Sequence, residues 1–168
     1  KLSDALNICL GRFYVAVGLL SDFHKPTDFF GTRRSEAETS MIPAVWHETG
    51  LELSGKVRKW NYRFQFVNGL DATGFSSQHW VAKGHQKRFE EIKATNMAIV
   101  GRLDYFVTPK ILGGVSVYRG DSSKNRPKPD LKGYQAHVLI ADAHFRFVAD
   151  RWCIQSMYMH GNLQNSNL

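Results

Sequence analysis

Two pairs of polar residues lie at alternate positions on two segments of the chain. Arg102 is followed by Asp104, and Asp142 by His144. A carboxylate beside a histidine could supply two ligands to a metal ion, but no HExxH motif and no close set of histidines and cysteines accompanies them. No GxSxG nucleophile elbow is present either. We therefore expect a structural or cavity-lining histidine, no metal or other cofactor, and no enzyme.

Three arginines occupy the polar side of segments whose other side is apolar: Arg63, Arg102 and Arg146. In a dry core each arginine would need a partner, because an unpaired buried charge is very costly. On the solvated outer face of a soluble sandwich it would need none. The arginines alone therefore do not distinguish a water-filled lumen from a solvated outer surface as their environment.

These residues belong to seven stretches in which apolar and polar residues alternate, a period that predicts strands. The stretches are residues 12–19, 49–56, 60–67, 96–106, 111–119, 134–148 and 151–161. The gaps between them are in turn long and short. Tight turns at one end and long loops at the other are typical of an all-β, antiparallel, up-and-down transmembrane β-barrel. We expect about seven or eight strands of such a barrel in this chain.

The third stretch separates two faces most clearly. Its aromatic face is Trp60, Tyr62, Phe64 and Phe66, and Asn61, Arg63 and Gln65 point the other way. This pattern predicts lipid on the aromatic side and water on the other. The same alternation predicts a lipid-facing set in the first stretch, namely Phe13, Val15, Val17 and Leu19. Aromatic residues beside the basic turn at Arg58 indicate a membrane-interface girdle. The outward face of the seventh stretch stays unassigned.

Composition limits the class of protein. The chain has 168 residues, of which 43% are hydrophobic and 12% aromatic, so it is not a disordered protein. No apolar run is long enough for a transmembrane helix. Two cysteines are too few for a disulfide framework. A net charge of +7 favours anionic partners. Because the strand count is odd, we expect residues 1–168 to form one β-barrel segment of a longer chain.

Several ordered motifs resemble phosphate-selective-porin-like outer-membrane proteins. The matching residues are Gly18, Leu19, His24, Pro26, Phe29, Phe30 and Gly31, followed by Ile42, Pro43, Trp46, Glu48 and Gly50. The later segments NYRFQFVNGLDATGF (61–75) and MAIVGRLDY (97–105) are similar to further strands of that family. The likeness covers about residues 11–120. The chain departs from the family at Lys25, and at the loop WVAKGHQKRFEEIKATN, where the family has a glycine-rich basic loop.

The resemblance implies a porin in the outer membrane of a Gram-negative bacterium. Its function would be passive diffusion of small hydrophilic solutes, with a mild preference for anions such as phosphate. Six residues are expected to line the pore: Arg63, Arg102, Arg146, Asp104, Asp142 and His144. The long loop before the second strand would fold inward, so that Arg33 and Arg34 guard a constriction. The expected partners are small anions, outer-membrane lipid and lipopolysaccharide, with a homotrimer or a larger envelope complex left open.

Two alternatives to a porin stay open at this point. A soluble lipocalin-like barrel would bind a small apolar ligand and turn its aromatic face inward. A non-conducting barrel would serve as a structural subunit of an envelope complex. Nucleic acid is not expected as a partner. A surface that stacks bases normally mixes aromatic and basic residues, and the aromatic face of this chain carries no basic residues.

Overall fold

The computed structural model describes residues 2–19, 36–86, 92–126, 129–131 and 133–166. The described residues form one antiparallel sheet of seven strands, in which each strand pairs with its neighbours in the sequence. The strands are β1 (Asn7–Tyr14), β2 (His47–Val57), β3 (Trp60–Asn68), β4 (Met97–Thr108), β5 (Ile111–Asp121), β6 (His137–Val148) and β7 (Cys153–Leu163), and a short helix α1 (Glu36–Met41) precedes β2. The predicted all-β, up-and-down architecture is confirmed.

The connections alternate as the gaps in the sequence predicted. Short turns join β2 to β3, β4 to β5 and β6 to β7 at one end of the sheet. The long connections, which lie at the other end, join β1 to β2, β3 to β4 and β5 to β6. Among the described residues β1 and β7 do not pair with each other, so the sheet is not closed. No helix in this part of the chain is long and apolar enough to cross a membrane.

Burial alternates along the strands and defines two faces. The outer face carries exposed apolar side chains, as at Phe64, Ile99 and Val117. The inner face carries buried residues of both kinds, such as Val100 and Gln65. The period of two places all side chains of one parity on the same face. Trp60, Phe64 and Phe66 are exposed together on the outer face, as predicted. Tyr62 lies on the same face but is half-buried, and its hydroxyl donates to the carbonyl of Ala5 at 2.7 Å.

The first strand differs from its prediction. It spans Asn7–Tyr14 and not residues 12–19. Phe13, which was predicted to face outward, packs against the core, and Val15, Val17 and Leu19 follow the strand and are buried inside the fold. The chain turns where the amide of Val17 donates to the carbonyl of Val15 at 2.9 Å, and Gly18 follows with a φ of 77°. Residues 15–19, which we call the inner segment, pack into the apolar core. Their apolar side chains continue the alternation of the sequence beyond the end of the strand.

The core lies on the inner face towards the long loops. It contains Val67, Val100, Tyr118, Val138 and Ile140 from four strands, and the inner segment packs against them. Two of the long loops are joined at this end through one fully buried amide. The side chain of Asn125 donates to the carbonyls of residues 69, 70 and 96 and accepts from the amides of residues 95 and 96.

The seventh strand, whose outward face the sequence left unassigned, follows the same alternation of exposed and covered residues. Ile154 and Tyr158 are exposed on the outer face, whereas Met157 and Met159 are partly covered. Met159 packs against the apolar core. The methionines therefore belong to the inner face.

Candidate functional site on the inner face

Strand register brings the polar pairs of β4 and β6 together across β5. Arg102 is level with Ser116, which is level with Asp142. In the adjacent row of the same face, Asp104 is level with Gly114 and then with His144. Residues two apart on one strand share a face, so two rows of the inner face form a single polar patch. We call these five side chains, namely Arg102, Asp104, Ser116, Asp142 and His144, the charged network.

Asp104 lies between the two basic groups of the network. The Nε of Arg102 donates to both oxygens of Asp104, at 3.1 and 2.9 Å. The Nε2 of His144 lies 2.8 Å from Oδ1 of Asp104. The other ring nitrogen of His144, Nδ1, lies 2.6 Å from Oδ1 of Asp142. Nη2 of Arg102 also lies 3.2 Å from Nε2 of His144. A ring protonated at Nδ1 alone would donate to Asp142 and accept from Arg102, whereas a doubly protonated ring would donate to both carboxylates.

Gly114 makes this contact between β4 and β6 possible. A β-carbon at this position would overlap Oδ1 of Asp104 and come within 2.5 Å of Nε2 of His144. Glycine has no side chain, so the two groups meet directly above the intervening strand. The close approach, and not a special backbone angle, explains the residue type here.

The network also holds the inner segment in place. The backbone amide of Gly18 donates to Oδ2 of Asp142 at 3.0 Å, and Nη1 of Arg102 donates to the carbonyl of Gly18 at 2.7 Å. Ser116 hydrogen-bonds the same Oδ2 of Asp142. The backbone of Gly18 is thus bound by Asp142 from β6 through its amide and by Arg102 from β4 through its carbonyl.

A second attachment lies nearer the start of the inner segment. The buried Gln65 accepts from the amide of Ala16 at 2.9 Å and donates to the carbonyl of Tyr14 at 2.9 Å. The inner segment therefore spans the inner face from β3 to β6 and is tied to side chains at both ends. Buried backbone groups need such partners when they leave a sheet.

The network is enclosed, which limits its chemistry. Arg102 is 4% exposed and Asp104 is 5% exposed. Ser116 bonds to a carboxylate and not to the imidazole, so no hydroxyl is paired with a histidine base here. Among the described residues no group of three or more histidine, cysteine, aspartate or glutamate residues could hold a metal ion. The arrangement pairs charges and anchors backbone.

A more open region lies towards the short turns. A groove of about 830 Å³ is lined there by residues that include Lys56, Arg58 and Arg63 on the basic side, and Asp4 and Asp104 on the acidic side. Asp104 already contacts Arg102 in the network. Three cationic side chains and two carboxylates thus line this groove.

The structure places all six predicted pore-lining residues on the inner face. Four of them, Arg102, Asp104, Asp142 and His144, are buried in the network. Arg63 and Arg146 are partly buried on the same face. That these residues line a water-filled passage stays a prediction. The predicted constriction residues Arg33 and Arg34 lie outside the described residues, as does the His24–Gly31 part of the motif.

Sequence reasoning did not single out Ser116, Gly114, Gly18 or Gln65 as members of the site. Parity along the strands places Gln65 and Ser116 on the polar face, which is a usable signal. Gly114 could only be found once the register between β4, β5 and β6 was known.

Comparison with known proteins shows similarity over part of the chain. The chain is 27% identical over 110 residues to an uncharacterized protein of Aquifex aeolicus (strain VF5), and the match covers 64% of this chain and 25% of that protein. The chain thus spans about a quarter of the length of this relative. No protein-family model matches the chain. No solved structure matches it.

Proposed function

We propose that this chain is a segment of an outer-membrane β-barrel through which small hydrophilic solutes diffuse, with a mild preference for anions. The observation that carries the proposal is the outer face of the sheet. It is apolar across neighbouring strands, whereas Arg63, Arg102, Asp104, Asp142, His144 and Arg146 lie on the inner face; Arg119 of β5, near the long loops, is a charged residue of the outer face. A soluble protein has the opposite arrangement, with its charges outside.

Register shows how continuous the apolar outer face is. One row across β2 to β6 consists of Leu53, Phe64, Gly101, Val117 and Ala141. The next row towards the short turns contains Tyr62, Leu103, Val115 and Ala143. Soluble monomers rarely expose contiguous apolar patches of more than a few hundred Å². Hydrocarbon is the partner that such a face on a β-sheet suits.

Strand length agrees with a membrane crossing. β4 and β6 have 12 residues each. With a rise of about 3.4 Å per residue, the first and last Cα atoms of such a strand are about 37 Å apart, and a tilt of about 45° gives a height of about 26 Å. The apolar band of outer-membrane barrels is about 25 Å tall.

The ends of the apolar band carry residues that suit a membrane–water interface. Near the short turns the rings of Trp60 and Tyr105 pack with centroids 4.6 Å apart. Near the long loops Arg119 is exposed on the outer face, level with Ile99 and Leu139. Aromatic and basic residues at these two levels favour an outer face that spans the hydrocarbon layer.

The anion preference rests on the groove at the short turns. Its basic lining by Lys56, Arg58 and Arg63 would raise the local concentration of anions at that mouth. Among the described residues β1 and β7 each pair on one side only, which supports the proposal that further strands complete the barrel.

One observation favours a second candidate, a non-conducting barrel. The inner segment fills part of the inner face and is held there by Arg102 and Asp142. A barrel closed around it would be partly plugged. The lipocalin-like alternative is less favoured, because the aromatic face is exposed and the inner face carries the charged network.

Planar-bilayer recording under a salt gradient tests the proposal. The protein, purified in detergent, should insert and give a current whose reversal potential has the sign of anion selectivity. Arg63→Gln should reduce that selectivity, whereas Arg119→Gln on the outer face should leave it unchanged. Cation selectivity would remove the anion preference, and insertion without current would favour the non-conducting barrel. A protein that stays soluble without detergent would overturn the barrel itself.

A further inference from the structure

A cavity of about 680 Å³ lies at the long-loop end and shares no residue with the charged network. It is bounded by the loop after β3, by the loop after β5 and by residues 163–166 at the end of β7. Pockets that bind small molecules have volumes of about 300–1,000 Å³. The cavity therefore has the size of a small-molecule site.

Three aromatic residues line this cavity: Phe75, Trp80 and Tyr134. Trp80 is held by a bridge in which the amide of Ser76 donates to its carbonyl at 3.1 Å. Its ring lies against Gly161 of β7, where a β-carbon would overlap it. Aromatic faces carry partial negative charge and attract the slightly positive C–H groups of a ligand.

The charged residues in the lining neutralise each other. Arg126 donates to Asp130 through Nε at 2.9 Å and through Nη2 at 2.7 Å. Its Nη1 donates to the carbonyl of Ala72 at 3.3 Å. The hydrogen bonds from Arg126 hold the pKa of Asp130 below its ordinary value, so the pair stays ionised in neutral solution. A free anion or cation would have to compete with a partner that is already bound.

The remaining polar lining is uncharged. It consists of the hydroxyl groups of four serines and the amides of two glutamines and one asparagine, namely Ser76, Ser77, Ser123, Ser166, Gln135, Gln164 and Asn165. Asn165 donates to the carbonyl of Gln135 at 2.7 Å. Hydroxyl and amide groups can both donate and accept hydrogen bonds. They match a ligand that carries many hydroxyl groups.

We infer that this cavity binds a neutral saccharide. A sugar ring has an apolar C–H face for the aromatic side chains and a rim of hydroxyls for the serine and amide groups. A hydrocarbon ligand would leave the polar lining unpaired, at a cost for each buried group. A phosphorylated ligand finds no uncompensated positive charge among the described lining residues. The inference does not require that the sheet lie in a membrane.

Calorimetric titration of the whole protein with maltotriose tests the inference. The detergent must be zwitterionic, because a glycoside detergent would compete for the site. Maltotriose should bind, and glucose 6-phosphate should bind no better than glucose. Tyr134→Ala should weaken maltotriose binding by about tenfold, as expected for loss of one aromatic contact. Tyr158→Ala, which removes an exposed ring from the outer face, is the matched control and should have no effect.

Tryptophan fluorescence gives a second readout. Maltotriose should change the emission of the protein, and Trp80→Phe should abolish the change. Trp152→Phe, at an exposed position outside the cavity, should retain it. Absence of binding up to the solubility limit would overturn the inference. Equal losses in Tyr134→Ala and Tyr158→Ala, or preferential binding of the phosphorylated sugar, would also overturn it.

Discussion

The contact between Asp104 and Arg102 allows the most demanding prediction about stability. Asp104→Asn keeps the size of the side chain and removes its charge. The substitution takes away the carboxylate that receives Nε of Arg102 at 3.1 and 2.9 Å and faces Nε2 of His144 at 2.8 Å. Arg102 would remain buried, close to a second basic group that has lost the same acid.

The expected loss follows from burial. Removal of one partner from a buried ion pair costs about 3–5 kcal/mol, because the other charge stays desolvated. The total free energy of unfolding of a domain is about 5–15 kcal/mol. We therefore expect Asp104→Asn to lower the free energy of unfolding by about 3–5 kcal/mol. The inner segment should also become accessible, because Arg102 holds the carbonyl of Gly18.

Urea titration in detergent micelles measures the free energy of unfolding, and amide hydrogen exchange at residues 16–18 measures the release of the inner segment. Asp130→Asn is the matched control, because Asp130 also binds an arginine through two hydrogen bonds but lies on the surface. It should change neither readout measurably. Equal effects of the two substitutions would refute the reasoning, as would a destabilised Asp104→Asn variant whose inner segment stays protected.

Two further predictions use substitutions with closely matched controls. Val117→Arg should destabilise the protein in phospholipid vesicles by about 2–4 kcal/mol. Val45→Arg is the control, because Val45 lies outside the strands and the two valines are 44% and 43% exposed; it should cost less than about 0.5 kcal/mol. Equal losses in a urea titration would contradict the lipid-facing assignment of Val117. Gly114→Ala should cost about 1.5–3 kcal/mol because its β-carbon separates Asp104 from His144. The neighbouring Gly113→Ala meets no atom within 4 Å and should cost much less; a thermal shift of the same size in both would show that the close approach is unimportant.

Alternation in the sequence was sufficient to predict the seven strands, their antiparallel order and the side of the sheet that carries the aromatic residues. It failed at β1, where Phe13 packs against the core and Tyr14 is exposed, the reverse of the prediction. Val15, Val17 and Leu19 continue the period of two after the chain has left the sheet. Periodicity records which residues are apolar. It does not record whether an apolar side chain meets an outer surface or an inner core.

The charged network could be predicted only in part. Spacing places Arg102 with Asp104 and Asp142 with His144, since residues two apart share a face. Contact between the two pairs depends on the register of β4 with β5 and of β5 with β6, and on Gly114 in the intervening strand. Local sequence patterns do not determine strand register. The bonds to Gly18 depend on an inward turn of the chain, and no motif in the sequence indicated that these residues would be buried together.

The central claim is that the outer face of the sheet contacts hydrocarbon. A nitroxide label at Val117→Cys, with Cys9 and Cys153 replaced by alanine, reports on it directly when the protein is folded in phospholipid vesicles. We predict that collisions with oxygen, which concentrates in the bilayer, exceed collisions with a water-soluble nickel chelate. A label that is more accessible to the nickel chelate than to oxygen would contradict the claim.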